Sequence, residues 1–295
     1  MNIVIASGKG GAGKTSVAAS LVAVWERPLI AVDADVEAPN LHLFLNPTLS
    51  SSETVSLRVP ELDLELCTSC GLCRDICHYG AIARFASRLS LFPDMCHGCG
   101  GCFAVCPQHA LREGQRVLGV LENGLCRDDK VRFLMGRSRI GEAMTPPLLR
   151  ALHKKLHAMQ DTIPSDALVD APPGVSCPAM SVAREADAVL LVVEPTPFGF
   201  HDFCLAHQAF TRLNKPLLVV LNRVGMFGNQ DGEQRVRAYC KEHALPVAAT
   251  FPFSREAAET YAHGGLLAHL SPEWNRLFAA LALTLTAFGT GGNHA

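Results

Sequence analysis

Residues 8–15 read Gly-Lys-Gly-Gly-Ala-Gly-Lys-Thr, and that run commits the start of the chain to one kind of fold. Backbone N–H groups can point inward at a phosphate only where glycine permits conformations closed to other residues. Such a loop must then open a helix, whose positive N-terminal end faces the same anion. The neighbouring sequence meets both demands. Asn2-Ile-Val-Ile-Ala6 precedes the loop as a short apolar strand, and Lys14–Trp25 follows as a helix with Val17, Leu21 and Val24 near one face. Pro28-Leu-Ile-Ala-Val-Asp33 reads as a second buried strand and completes the opening of a βαβ unit.

The same alternation returns in the second half. Helices are expected over Pro147–Met159, Phe200–Leu213, Gln230–His243 and Pro272–Leu285, and strands over Ala167–Asp170, Ala188–Glu194, Pro216–Asn222 and Val247–Phe251. Short apolar strands separated by helices predict an α/β fold, a parallel sheet with helices on both faces and right-handed crossovers. Between Pro60 and Glu113 the pattern breaks into a short, cysteine-rich stretch without helical periodicity. The expected organisation is therefore a phosphate-loop domain in two parts, 1–59 and 114–295, interrupted by a small α+β module over 60–113.

That stretch holds Cys67, Cys70, Cys73 and Cys77, then Cys96, Cys99, Cys102 and Cys106 followed by Pro107. Each quartet reads C-x2-C-x2-C-x3-C, and their first cysteines lie 29 residues apart. The spacing resembles bacterial two-cluster ferredoxins, in which the fourth cysteine of each run ligates the other cluster. The resemblance implies one [4Fe–4S] cluster on Cys67, Cys70, Cys73 and Cys106, and a second on Cys77, Cys96, Cys99 and Cys102. A pair of zinc sites is the competing reading, although zinc ligands more often come as two separated pairs. His78 stands where such ferredoxins usually carry proline. It, His97 and His109 are expected to be surface imidazoles.

Composition narrows the rest. Net charge is −2 with no long basic run, which gives nucleic-acid binding little support. Apolar stretches at Ala188–Val193 and Leu277–Leu285 fall well short of the ~20 residues that span a bilayer. The N-terminal residues lack a basic, signal-like segment. Twelve cysteines, eight of them in the quartets, point to metal ligation in a reducing cytoplasm.

Lys9 makes the loop Lys-Gly-Gly-x-Gly-Lys-Thr, which resembles the deviant phosphate loop of the MinD/ParA/Mrp ATPases. The stretches Asp33-Ala-Asp35, Asp170-Ala-Pro-Pro-Gly174 and Val193-Glu-Pro-Thr-Pro-Phe-Gly-Phe-His-Asp202 extend the likeness. The whole chain is similar to members of that superfamily carrying an inserted ferredoxin domain. The phosphate loop itself assigns ATP/ADP binding to Gly8, Lys9, Gly10, Gly11, Ala12, Gly13, Lys14, Thr15 and Ser16, with Lys14 on the β/γ phosphates and the Thr15 hydroxyl on Mg²⁺. The resemblance adds that Lys9 reaches the nucleotide of a partner subunit in a homodimer, the alternative being a solvated loop lysine. It further implies that Asp35 orients the attacking water, that Asp33 and Asp170 support Mg²⁺, and that Asn222 reads adenine, its alternative being a turn residue after a strand.

Cys177 lies seven residues after Asp170, where the resembling nitrogenase iron protein ligates an intersubunit cluster. Cys126 is the candidate second ligand by elimination, and the bland reading of Cys177 is a small buried residue. The implied activity is slow, partner-stimulated ATP hydrolysis that drives dimer switching and electron transfer to a redox or metal-cluster partner. A cluster carrier or metallocentre maturation ATPase is the second reading, although the usual C-terminal Cys-x-x-Cys pair is absent. A positioning ATPase of the MinD type ranks third. The tail after Trp274 carries one arginine, Arg276, before Leu-Phe-Ala-Ala-Leu-Ala-Leu, which predicts a core-packing helix and no stable membrane anchor.

Overall fold

The computed structural model describes residues 1–86, 88–227 and 229–290. The chain divides into two compact units. The first comprises Met1–Ser52, Leu121–Arg137 and the chain from Leu149 onward; the second comprises Glu53–Val120 and Ser138–Leu148.

A nine-stranded sheet runs in the order β11-β10-β9-β1-β8-β2-β7-β6-β3. Its centre is β1 (Asn2–Ser7), β2 (Leu29–Asp33), β8 (Asp166–Asp170) and β9 (Ala188–Val193), with β10 (Leu217–Val224) and β11 (Val247–Pro252) beyond. These strands pair in parallel, and β2 also pairs in parallel with β7 (Val131–Ser138). Residues of β2, β8 and β9 are buried throughout, as expected of strands covered on both sides.

The other edge departs from the all-parallel expectation. β6 (Leu111–Cys126) and β7 neighbour each other across a turn in which Arg127, Asp128 and Asp129 all take left-handed φ, 55°, 51° and 61°. That connection is too short for a crossover, so the pair is antiparallel. The partner of β6 on its other side is β3 (Thr48–Leu62), antiparallel too. A Cβ on Gly124 would meet Thr48, one on Gly114 would meet Glu61, and the Asp63 N–H donates to Ala110. The sequence reading missed these strands because they are not apolar runs. β3 is an edge strand exposed over its first seven residues, and β6 alternates buried with exposed positions.

Helix α1 (Lys14–Val24) buries Val17, Ala18, Ala19, Leu21 and Val22 together, so it is enclosed nearly all round and not on the single face its spacing suggests. Short α2 (Leu41–Leu45) and the terminal α10 (Pro272–Thr290) pack on it. α10 buries Trp274, Phe278, Leu281 and Leu285 in the main core and stacks Phe278 on Phe251, ring centroids 4.3 Å apart. This is the core-packing role expected of the tail. Ile3 and Ile5 of β1 face that core, while the equally buried Val4 and Ala6 alternate to the opposite side. α6 (Cys177–Arg184) packs against β1, α7 (Pro197–Thr211) against β9 and α8 (Gln230–Glu242) against β10. α5 (Pro146–Thr162) and α9 (Arg255–Ala262) are the remaining longer α-helices among the described residues. No helix among the described residues is long and apolar enough to cross a membrane.

The stretch 60–113 falls within the second unit, which is wider than that stretch. Its elements are the outer parts of β3 and β6, a hairpin of β4 (Ile82–Phe85) and β5 (Arg88–Leu91), and two single-turn helices, α3 (Leu72–Asp75) and α4 (Gly101–Val105). Its small core is Cys73, Ile82, Leu89 and Leu111, with Leu62, Phe103 and further cysteines packed around it.

Candidate functional site

β1 delivers the chain to the glycine loop and α1 starts at Lys14, preceded by Gly13 with φ +91°. No side chain caps α1, so its first backbone N–H groups stay available to an anion. Two glycines are needed for different reasons. A Cβ on Gly8 would lie 2.2 Å from the Asp202 carbonyl oxygen, so the loop packs directly on the backbone of α7. A Cβ on Gly13 would lie 2.2 Å from Asn222 Nδ2. Gly13→Ala should therefore cost about 1–3 kcal/mol, from the left-handed φ and the displaced Asn222. Thermal unfolding measures this, and an unchanged Tm would show that the position tolerates a side chain.

Lys14, Thr15 and Asp170 form one knot. Lys14 Nζ lies 2.5 Å from Asp170 Oδ1, and Thr15 Oγ1 donates to Asp170 Oδ2 at 2.6 Å. Asp170 ends β8 and is fully buried, one strand away from Asp33 at the same level of the sheet. Asp33 accepts the N–H groups of Asp35, Asn40 and Leu41 at 3.1, 2.9 and 2.8 Å, so both its oxygens hold the loop that carries Asp35. Burial, then the neighbouring Asp170, pushes the Asp33 carboxyl well above the usual carboxylate range. Burial pushes Asp35 up to about 6, against the pull of Lys14.

Lys9 Nζ is 2.9 Å from Glu194 Oε2, just beyond β9. Arg223 Nη1 lies 3.4 Å from the other oxygen of Glu194 and donates to the Gly11 carbonyl at 3.0 Å. Neither Glu194 nor Arg223 was singled out from the sequence. The available signal was their place at the carboxyl ends of adjacent parallel strands, where open α/β sheets bind ligands. Asn222 is buried and donates from Nδ2 to the Ala12 carbonyl at 2.9 Å. It borders an open cleft of about 270 Å³ with Ser16, Arg223, Phe253, Tyr261 and Trp274.

The cysteines sort into two chambers. Cys67, Cys70, Cys73 and Cys106 line one, with Leu72, Leu89 and Leu111. Cys77, Cys96, Cys99 and Cys102 line the other, with Ile76, Ile82 and Phe103. Each chamber thus takes three cysteines from one run and the fourth from the other. Backbone N–H groups aim at three of the sulfurs: Ser69 at Cys67 Sγ (3.4 Å), Gly98 at Cys96 Sγ (3.4 Å) and Ala110 at Cys106 Sγ (3.3 Å). Among the described residues no three His, Cys, Asp or Glu side chains converge on a single metal-ion position. His97 is exposed, as expected of a surface imidazole, and stacks on Tyr79 with ring centroids 3.7 Å apart.

The remaining cysteines change the reading of Cys177. It is exposed in the first turn of α6, not a small buried residue. Cys126, its candidate companion, is buried in the main core, and burial pushes its thiol up to about 11. A thiol enclosed there cannot be presented to a second subunit, so Cys126 is withdrawn as a bridging ligand.

Residues 3–267 match the family described as the CobQ/CobB/MinD/ParA nucleotide binding domain. The chain belongs to that family. Among curated relatives of this MinD/ParA-family chain, an uncharacterized protein of Methanocaldococcus jannaschii is 31 % identical over 77 % of this chain and 79 % of its own length. A second uncharacterized protein of that organism is 27 % identical over 82 % and 90 %. Among solved structures, the cell division ATPase MinD of Pyrococcus furiosus superposes with a TM-score of 0.57 at 22 % identity, covering 97 % of this chain and 98 % of that one. The septum site-determining protein MinD of Pyrococcus horikoshii, complexed with Mg-ADP, gives 0.57 at 20 % identity over 100 % and 99 %. At these identities the likeness concerns the fold. In this MinD/ParA-family chain the residues gathered at the strand ends are Lys9, Lys14, Thr15, Asp33, Asp35, Asp170 and Asn222, all named from sequence, together with Glu194 and Arg223.

Proposed function

We propose that this chain is an ATP-hydrolysing switch whose second unit carries two [4Fe–4S] clusters and exchanges electrons with a partner protein under nucleotide control. The observation that carries the reading is the sorting of eight cysteines into two chambers, three from one run and one from the other in each. The donor set fits the clusters: four thiols per chamber, apolar walls, and amide N–H groups directed at sulfur. Bound there, the clusters would supply one-electron transfer. The chain's own part is to exclude water and fix the sulfurs in place.

On the nucleotide side, Lys14 exchanges Asp170 for the β/γ phosphates. The released Asp170 oxygens and the Thr15 hydroxyl are hard oxygen donors, the set that suits Mg²⁺. Asp33 holds the loop through three backbone N–H groups and thereby positions Asp35, whose raised pKa suits a group that takes a proton from water. Asn222 stands at the cleft for the base. Lys9 is held by Glu194 within its own chain, and it has to leave that carboxylate before it can reach the nucleotide of a second copy.

The test is anaerobic. Iron and labile sulfide are counted first, then midpoint potentials are followed by EPR without nucleotide, with ADP and with a non-hydrolysable ATP analogue. Two clusters per chain are expected, and a nucleotide-dependent shift of at least about 59 mV, a tenfold change in a one-electron equilibrium. A chain with clusters whose potentials ignore nucleotide would sink the coupling. A chain without iron would sink the electron-transfer reading.

A further inference from the structure

Resting on the reading that the second unit carries two clusters, we propose that Arg116 sets the potential of the cluster held by Cys77, Cys96, Cys99 and Cys102. It thereby makes the two clusters electronically unequal. Arg116 lies on β6, and its side chain is 5 % exposed. Nη2 donates to the carbonyl of Cys96 at 3.3 Å and lies 3.4 Å from Glu142 Oε1. Nη1 is 3.8 Å from Asp94, beyond hydrogen-bond reach, and among the described residues neither Nε nor Nη1 has a hydrogen-bond partner. A guanidinium stays charged at every accessible pH. Here it is enclosed against the backbone of a cluster ligand.

Its countercharges are divided. Glu142, 3 % exposed, is shared between Arg116 and Arg139 and accepts the Met144 N–H at 2.9 Å. Asp94 is 79 % exposed and is held by Arg139 at 2.8 Å. Around the other quartet, the charged pairs Arg74–Asp75 and Arg112–Asp63 have guanidinium side chains that are 47 % and 73 % exposed, where solvent and salt screen them. Among the described residues a buried cation stands on one side only; it favours the added negative charge of reduction on that side, and so raises that potential above the other.

Glu142 gives the proposal its sign test, because removing it uncovers the cation that Arg116→Gln removes. The full chain and the variants Arg116→Gln and Glu142→Gln are purified anaerobically, assayed for iron and sulfide, and titrated by EPR. Arg116→Gln is expected to lower one midpoint by about 59 mV or more, a tenfold shift. Glu142→Gln should raise the same midpoint, and the other should stay in place in both variants. Unmoved potentials, shifts of the same sign, or equal shifts of both clusters would overturn the proposal. If Arg116→Gln loses its iron, Glu142→Gln decides alone; loss of a cluster from both variants would reduce the network to a structural role and overturn it too. Wild-type protein without iron would instead overturn the cluster reading itself, and this inference with it.

Discussion

Lys14→Gln should hydrolyse ATP at least about a hundred-fold more slowly than the unmodified chain. Removing one preorganised donor from a site of developing charge typically costs ~10²–10³ in rate, and Lys14 brings a full charge as well. The same substitution should reveal what the lysine does without nucleotide. Lys14 and Asp170 are a buried ion pair 2.5 Å apart, and taking one partner from such a pair leaves the other uncompensated, at a cost of roughly 3–5 kcal/mol. The Thr15 hydroxyl still donates to Asp170 and offsets part of that loss. Phosphate release checks the first effect and urea unfolding without nucleotide checks the second. Hydrolysis within a few-fold of the unmodified rate would remove Lys14 from the catalytic assignment.

Cys106→Ala and Cys77→Ala should each remove one cluster, and in each case the cluster named for the other run. Cys106 lines the chamber of Cys67, Cys70 and Cys73, while Cys77 lines that of Cys96, Cys99 and Cys102. Iron should fall from about eight to about four per chain in either variant, since each [4Fe–4S] cluster needs four thiolates. The discriminating measurement is the double variant. Cys106→Ala combined with Cys73→Ala should keep about four irons, because both changes strike one chamber. Cys106→Ala combined with Cys102→Ala should keep almost none. The reverse pattern would mean that each run closes its own cluster.

Much of this was legible in the sequence where one physical demand dominates. A strand, a glycine loop and a helix are forced together by the need to turn backbone N–H groups inward, and Lys14–Val24 follows that script almost to the residue. The apolar strands β2, β8 and β9 announced themselves because both their faces are covered. The antiparallel edge did not, since half-exposed strands such as β6 spread their apolar residues among glycines and charges. The three left-handed residues 127–129 carry no glycine to mark the turn. Glu194, Arg223 and Arg116 were illegible for another reason. Each meets partners distant in sequence, and single charged residues on or beside a strand look alike until the fold brings them together.

The close approach of Asp63 and Ala110, joined by a 2.8 Å hydrogen bond across the β3–β6 ladder, means that the cysteine-bearing segment enters and leaves through one narrow doorway. Chains tolerate insertion and removal best where the two ends already meet, and a tight hairpin turn spans such a gap with two residues. Residues 64–109 are thus strung between two neighbouring rungs of one ladder. A chain rejoined at that rung by Asn-Gly is expected to keep every residue gathered around the phosphate loop while losing all eight cysteines of the two chambers.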